Sequence, residues 1–195
     1  MGKEFNCSFL GQLHWYLNAR IDQRANYDVT IDQSRYATGM IARFAPGYEP
    51  NKPSEPDRRK YSSPLPNEFE FTKKDCAENS FEVKRLEEEF GFRYRTLVGS
   101  MMWVTNTMPR IIFAIRKFSK FSQCPGRKHF EALRHCLHHV RCHHFTGITF
   151  YHDVLDAPVS KLLFELHVDP LSPVITFSDS SFHDDPDNGR STGSR

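Results

Sequence analysis

Seven histidine and cysteine side chains crowd into ten residues: His135, Cys136, His138, His139, Cys142, His143 and His144. Imidazole and thiolate are the usual ligands of zinc. At about 100° per residue, His135, His138, His139 and Cys142 share one helical face, opposite an apolar stripe of Phe130, Leu133, Leu137 and Val140. Two or three donors, with His135, His139 and Cys142 as the candidates, could meet one ion there. There is no CxxC and no second ligand pair at finger-like spacing, so a solvated helix face rich in histidine is the simpler reading.

A second chemistry centres on Asp179, in the strand-like segment VITFSDSSF (174–182). Magnesium sites for phosphoryl chemistry use carboxylate oxygens and keep several waters. One carboxylate does not make such a site, and Asp184, Asp185 and Asp187 with Asn188 and Gly189 read as a turn. A third signal is positive charge. Arg110, Arg116, Lys117, Lys120, Arg127 and Lys128 fall within nineteen residues, interleaved with Phe113, Phe118 and Phe121. Such a strip can neutralise phosphates, and a solvated helix face explains it equally well. No Walker loop, GxSxG elbow or HExxH is present, which leaves those enzyme classes without support.

The elements that must position these groups follow from periodicity. HWYLNARI (14–21) and YDVTIDQ (27–33) read as two strands joined by a turn at 24–27, because Val29 and Ile31 alternate with polar neighbours. A short helix follows over 34–44, with Ser34 placed to cap it and Tyr36, Met40 and Phe44 on one face. Six of the twelve prolines lie in 45–78, so that stretch reads as an extended, charged linker. Asn79 and Glu82 form a weak capping box before a helix over 81–90. Tyr94, Leu97, Val98, Met101, Met102, Thr105 and Met108 then mark a buried helical stripe. Pro109 fits the first turn of a helix over 110–121, with Ile111, Ile115 and Phe118 facing inward, and another helix runs over about 128–143. GITFY (147–151) reads as a short strand. The fold class expected is α+β, with the helices in the middle.

Composition bounds the partners. Among 195 residues, 26 Lys and Arg face 24 Asp and Glu, and a net charge of +2 gives no global pull toward nucleic acid. A hydrophobic fraction of 38% is enough for a core. Five scattered cysteines are an odd number and argue against a secreted disulfide scaffold. No apolar run reaches the ~18 residues of a membrane span, and the N-terminus has neither a signal-peptide layout nor a myristoylation pattern. An intracellular, cytoplasmic protein is expected.

Taken together, several segments resemble the pol region of copia-type LTR retrotransposons. FLGQLHWYLNARI is similar to that family's "LGxLxYFLGIEV" element, and IDQSRYATGMIARF resembles the "xxQxKYxxxxLxxF" helix that follows. SSPLP matches "TPLP". The run from Tyr94 to Leu137 resembles "YRxLVGSLxYLxxTRPDIxFAVxxLSRFxxxPxxxHWxAxxRxLRYL", and FSDSSFHDDPDNGRSTG is similar to "YSDADWAGDxDDRRSTSG". The pieces stand in family order over most of the chain.

The resemblance implies a division into the end of a reverse transcriptase palm (1–44), a Pro-rich linker (45–78), thumb- or connection-like helices (79–146), and a connecting strand with the start of a ribonuclease H domain (147–195). It implies that the hairpin grips a primer terminus with Trp15, Tyr16 and Leu17 near its tip. A thumb helix over 94–106 would track an RNA–DNA template–primer with Gly99, Ser100 and Trp103 facing the nucleic acid. Asp179 would be the first magnesium-binding carboxylate of ribonuclease H. The departures are Asn18 in place of the glycine of "FLG", and Met108 and Arg110 in place of the arginine and aspartate of "RPD". The polymerase's paired aspartates would precede residue 1 and the later ribonuclease H carboxylates would follow residue 195. The expectation is therefore a fragment that positions duplex beside the rest of a pol polyprotein and is not catalytic alone. Magnesium would serve the intact parent enzyme and no cofactor this fragment. The competing readings are a non-enzymatic His-rich helical module for zinc or a protein partner, and a non-functional pseudogene product.

Overall fold

The computed structural model describes residues 11–48, 53–66 and 70–153. Its first elements are three short strands, β1 (Trp15–Tyr16), β2 (Ala19–Gln23) and β3 (Val29–Asp32). The segment 14–21 is thus not one strand, as its sequence suggests. Leu17 and Asn18 take positive φ values of 48° and 62°, and this two-residue turn pairs Tyr16 with Ala19. Two successive left-handed residues match the twist of a tight hairpin, and asparagine is among the few side chains that accept that backbone. Glycine is the other residue type suited to this conformation.

A fourth strand, β4 (Ile148–Phe150), pairs antiparallel with β3, so the sheet order is β1-β2-β3-β4. Val29 faces Phe150, Ile31 faces Ile148, and the hydroxyls of Thr30 and Thr149 meet at 2.9 Å. Asp28 ties the end of β4 down by accepting the His152 N–H at 2.9 Å. Residues from both ends of the described chain therefore share one sheet.

Helix α1 (Ser34–Phe44) buries Ala37, Met40 and Ile41, with Tyr36 and Phe44 packed at the edge of the core. Ser34 is the first helical residue rather than the cap; the N-cap is Gln33, which makes no side-chain capping bond, and Asp32 just before it satisfies the first helical N–H. The Asp32 carboxylate accepts from Ser34 N–H at 3.1 Å and Ser34 Oγ at 2.6 Å, and also from Arg20 Nε at 2.8 Å. Strand β2, strand β3 and the start of α1 are joined at that one side chain.

The linker contains regular structure, which the prolines argued against. Helix α2 (Glu55–Lys60) starts at Ser54, whose hydroxyl accepts the Asp57 N–H. Pro56 lies in the first turn, where its missing N–H has no helical partner to lose. A 3-10 turn, Lys73–Asp75, follows. Helix α3 (Ser80–Phe90) is capped by Asn79, which accepts the N–H groups of Phe81 and Glu82. Only half of the expected capping box forms, because Glu82 accepts from Glu78 N–H instead.

The core is built by α4 (Tyr94–Val104), α5 (Ile112–Lys120) and α6 (Arg127–His143). Tyr94, Leu97, Val98, Met101 and Val104 meet Ile111, Ala114, Ile115 and Phe118, and Phe130, Leu133, Leu137 and Val140 close the third side. Tyr94 is fully buried and its hydroxyl donates to the Phe118 carbonyl at 3.2 Å. Met102 departs from the expected stripe: it is one residue, ~100°, past Met101 and stays 54% exposed. Pro109 opens a 3-10 turn, Pro109–Ile111, that leads into α5. At the start of α6 a Cβ on Gly126 would lie 2.0 Å from the Asp75 carbonyl oxygen, so only glycine admits this contact. Helices on an antiparallel sheet make the architecture α+β. Among the described residues, no helix is long and apolar enough to cross a membrane.

Candidate nucleic-acid interface

The hairpin presents Trp15, Tyr16 and Leu17 to solvent, and the Arg35 guanidinium of α1 lies 5.7 Å from the Trp15 ring centroid. The turn projects over α1 because Arg20 and the Ser34 groups converge on Asp32. Burial would raise the Asp32 pKa, but the Ser34 hydroxyl and N–H and the Arg20 guanidinium outweigh it and hold the carboxyl below its ordinary value. On the other side, Gln33 Oε1 accepts from Thr107 Oγ1 at 3.0 Å and fixes the β3–α1 junction to the end of α4.

Between the hairpin turn, α1 and α4 lies a cleft of about 430 Å³ lined by Asn18, Arg35, Tyr36, Gly39, Arg43 and Ser100, among others. It continues, through Arg43 and Phe44, into a second hollow of about 890 Å³ bordered by Lys84, Arg93, Arg95 and Thr96. Arg95 is already engaged, donating to the Ser122 carbonyl at 2.7 Å, and Glu87 and Glu88 temper the positive charge on the α3 side. The structure thus brings Ser100 into the cleft that Asn18 enters, next to Leu17. Gly99 and Trp103 sit one turn apart on the outward side of α4, both exposed.

Sequence reasoning missed Gly39, Arg35 and Arg43. Gly39 and Gly99 are interior helix glycines whose added Cβ would meet nothing within 4 Å. Glycine there costs the helix about 1 kcal/mol relative to alanine, with no packing reason among the described residues. A mid-helix glycine facing outward on α1 was the available signal.

The basic strip does not form one surface. Arg127 holds Glu89 through two hydrogen bonds of 2.6 Å, and Lys128 pairs with Asp75 at 2.6 Å. Phe118 and Phe121 are buried, while Phe113 is exposed under Lys117.

The His/Cys face is placed differently from either expectation. It is not solvated: α2 and the residues after it lie across it. His135 Nε2 donates to the Ser63 carbonyl (3.0 Å) and His139 Nδ1 to the Tyr61 carbonyl (2.7 Å). The His138 ring packs between Tyr48 and Tyr61, with centroids 4.6 and 4.8 Å away. Arg141, itself buried, bonds Asp57 at 2.8 Å. Burial pushes His138 and His139 down to about 4, so both are neutral at pH 7. Cys142 is buried on the same helix. Among the described residues, no three His, Cys, Asp or Glu side chains gather as they would round a metal ion. Asp179 lies outside the described residues.

No protein-family model matches the chain, and no solved structure matches it. Among curated proteins it is similar to the retrovirus-related Pol polyprotein from transposon TNT 1-94 of Nicotiana tabacum, 25% identical over 143 residues. That alignment covers 72% of this chain and 10% of the relative, so the chain spans about a tenth of the length of the protein it matches. The similarity supports derivation from a retrotransposon Pol polyprotein.

Proposed function

We propose that this chain is the part of a copia-type reverse transcriptase that holds the RNA–DNA template–primer, with Trp15, Tyr16 and Leu17 at the primer end and Gly99, Ser100 and Trp103 along the duplex. The observation that carries the reading is the pair of solvent-facing helix glycines, Gly39 and Gly99, beside a groove lined by Arg35, Arg43 and Arg93. A glycine with no neighbour to accommodate among the described residues leaves backbone open to close approach from outside. Guanidinium groups pair with phosphate oxygens in a fixed fork and carry no base preference. Exposed aromatic rings at the hairpin tip supply apolar contact for sugar and base faces. Fixing the primer terminus against a reacting centre is itself a large share of catalysis. DNA synthesis, RNA-strand cleavage and the magnesium that serves them belong, in this reading, to the parent polyprotein, where Asp179 supplies one ribonuclease H carboxylate.

The test is fluorescence anisotropy of the full chain with a labelled RNA–DNA hybrid. Three phosphate contacts predict an affinity loss of about 40-fold between 50 and 200 mM salt. Arg43→Ala weakens binding and flattens the salt slope, and Gly99→Gln and Trp103→Ala weaken it further. Affinity that ignores salt and all three substitutions overturns the proposal.

A further inference from the structure

We propose that Cys76 and Cys124 are a thiol pair that closes reversibly into an intramolecular disulfide. Cys76 ends the 3-10 turn before α3 and Cys124 lies in the corner between α5 and α6, 48 residues on, yet their sulfurs are 2.7 Å apart. Their backbones are pinned together independently of the sulfurs. Ala77 N–H donates to the Cys124 carbonyl at 3.1 Å, Lys128 pairs with Asp75, and Gly126 lies against the Asp75 carbonyl. Phe71, at the start of the same segment, packs on Phe118, Phe121 and His129. The two thiols therefore part only if that segment leaves α6.

Both thiols are half-buried and so within reach of a small reagent, whereas Cys136 and Cys142 are buried, and burial raises the pKa of each. A thiol kept protonated and covered is inert. The oxidant is a small-molecule disulfide such as oxidised glutathione. One cysteine thiolate attacks a sulfur of that reagent, its S–S bond breaks, and one glutathione leaves as thiolate and takes up the released proton. The second cysteine, as thiolate, attacks the protein-side sulfur of the mixed disulfide and displaces the other glutathione. Two electrons pass from the chain to one glutathione disulfide, which becomes two glutathione molecules. Excess reduced thiol drives the same steps backward. The closed bond ties the segment leading into α3 covalently to the corner before α6.

The full chain is incubated with excess oxidised glutathione, quenched with acid, and mapped by non-reducing proteolysis and mass spectrometry. The expected product has lost two hydrogen atoms per chain, carries a Cys76–Cys124 linked peptide, and presents two fewer maleimide-reactive thiols. Dithiothreitol restores both thiols, and Cys76→Ser and Cys124→Ser each leave a single glutathione adduct on the remaining partner. Stable glutathione adducts on both cysteines of the unmodified chain, or linkage of either one to Cys7 in place of the other, overturns the proposal.

Discussion

Replacing His138 by phenylalanine separates the cost of protonating α6 from the packing of its ring. His138 is 5% exposed, wedged between Tyr48 and Tyr61, and its Nδ1 has no hydrogen-bond partner among the described residues. Burial, then the positive charges of Arg141 and Arg134, push its pKa to about 4; Asp57 opposes and Lys60 adds to the effect. In the unfolded chain the same group titrates near 6.5. The unfolded state thus takes the proton first, so stability is complete above about pH 6.5 and is lost as pH falls from there toward 4. At pH 5.5 the difference amounts to about 1.4 kcal/mol for His138. His129 and His139 are also pushed to about 4 by burial, so the three together remove about 4 kcal/mol. That is a large part of a typical domain's 5–15 kcal/mol. Urea unfolding at pH 7.5 and 5.5 measures it. Phenylalanine keeps the ring contacts and removes the titration, so His138→Phe loses about 1.4 kcal/mol less than the parent chain between the two pH values. Parallel stability profiles for the two proteins would refute a buried, neutral His138.

Gly126→Ala forces its new methyl group into the Asp75 carbonyl and is expected to cost about 2 kcal/mol in urea unfolding, as overpacking against backbone does; an unchanged midpoint would place the Lys73–Asp75 turn away from α6. Gly99→Ala is expected to do the opposite and stabilise by up to about 1 kcal/mol, since its Cβ meets nothing and the helix gains propensity. Destabilisation in the same assay would mean that the outward side of α4 is packed.

The helices of the core were legible because each buries one side against the others. Leu97, Val98 and Met101 on α4, and Phe130, Leu133, Leu137 and Val140 on α6, repeat at three and four residues and are all buried. The opposite side of α6 was misread because its cover comes from Tyr48, Asp57, Tyr61 and Ser63, more than seventy positions earlier, and periodicity marks only the face that is apolar. Tyrosine rings and carbonyls hide His135, His138 and His139 without making the face hydrophobic. Helix α2 was hidden by proline density, although Ser54 and Asp57 carry the S-x-x-D spacing of a helix start. The split of HWYLNARI into β1 and β2 rests on positive φ at Leu17, which a leucine does not announce. At the groove, Gly99, Ser100 and Trp103 came from family resemblance. Arg35, Gly39 and Arg43 needed the packing of α1 beside α4: a glycine in mid-helix was visible in the sequence, but the open space it faces was not.

The pairing of β3 with β4 sets an order of events during synthesis. Until Ile148–Phe150 has left the ribosome, β3 is the last strand of the sheet among the described residues, and its outer N–H and C=O groups lack the strand that pairs with them in the folded chain. A nascent or prematurely terminated chain ending before residue 148 displays that edge to any other extended segment, including the same edge of a second nascent chain. Contacts spanning this much sequence form late and slowly. A chain cut short before residue 148 therefore carries an aggregation-prone edge that the finished sheet covers.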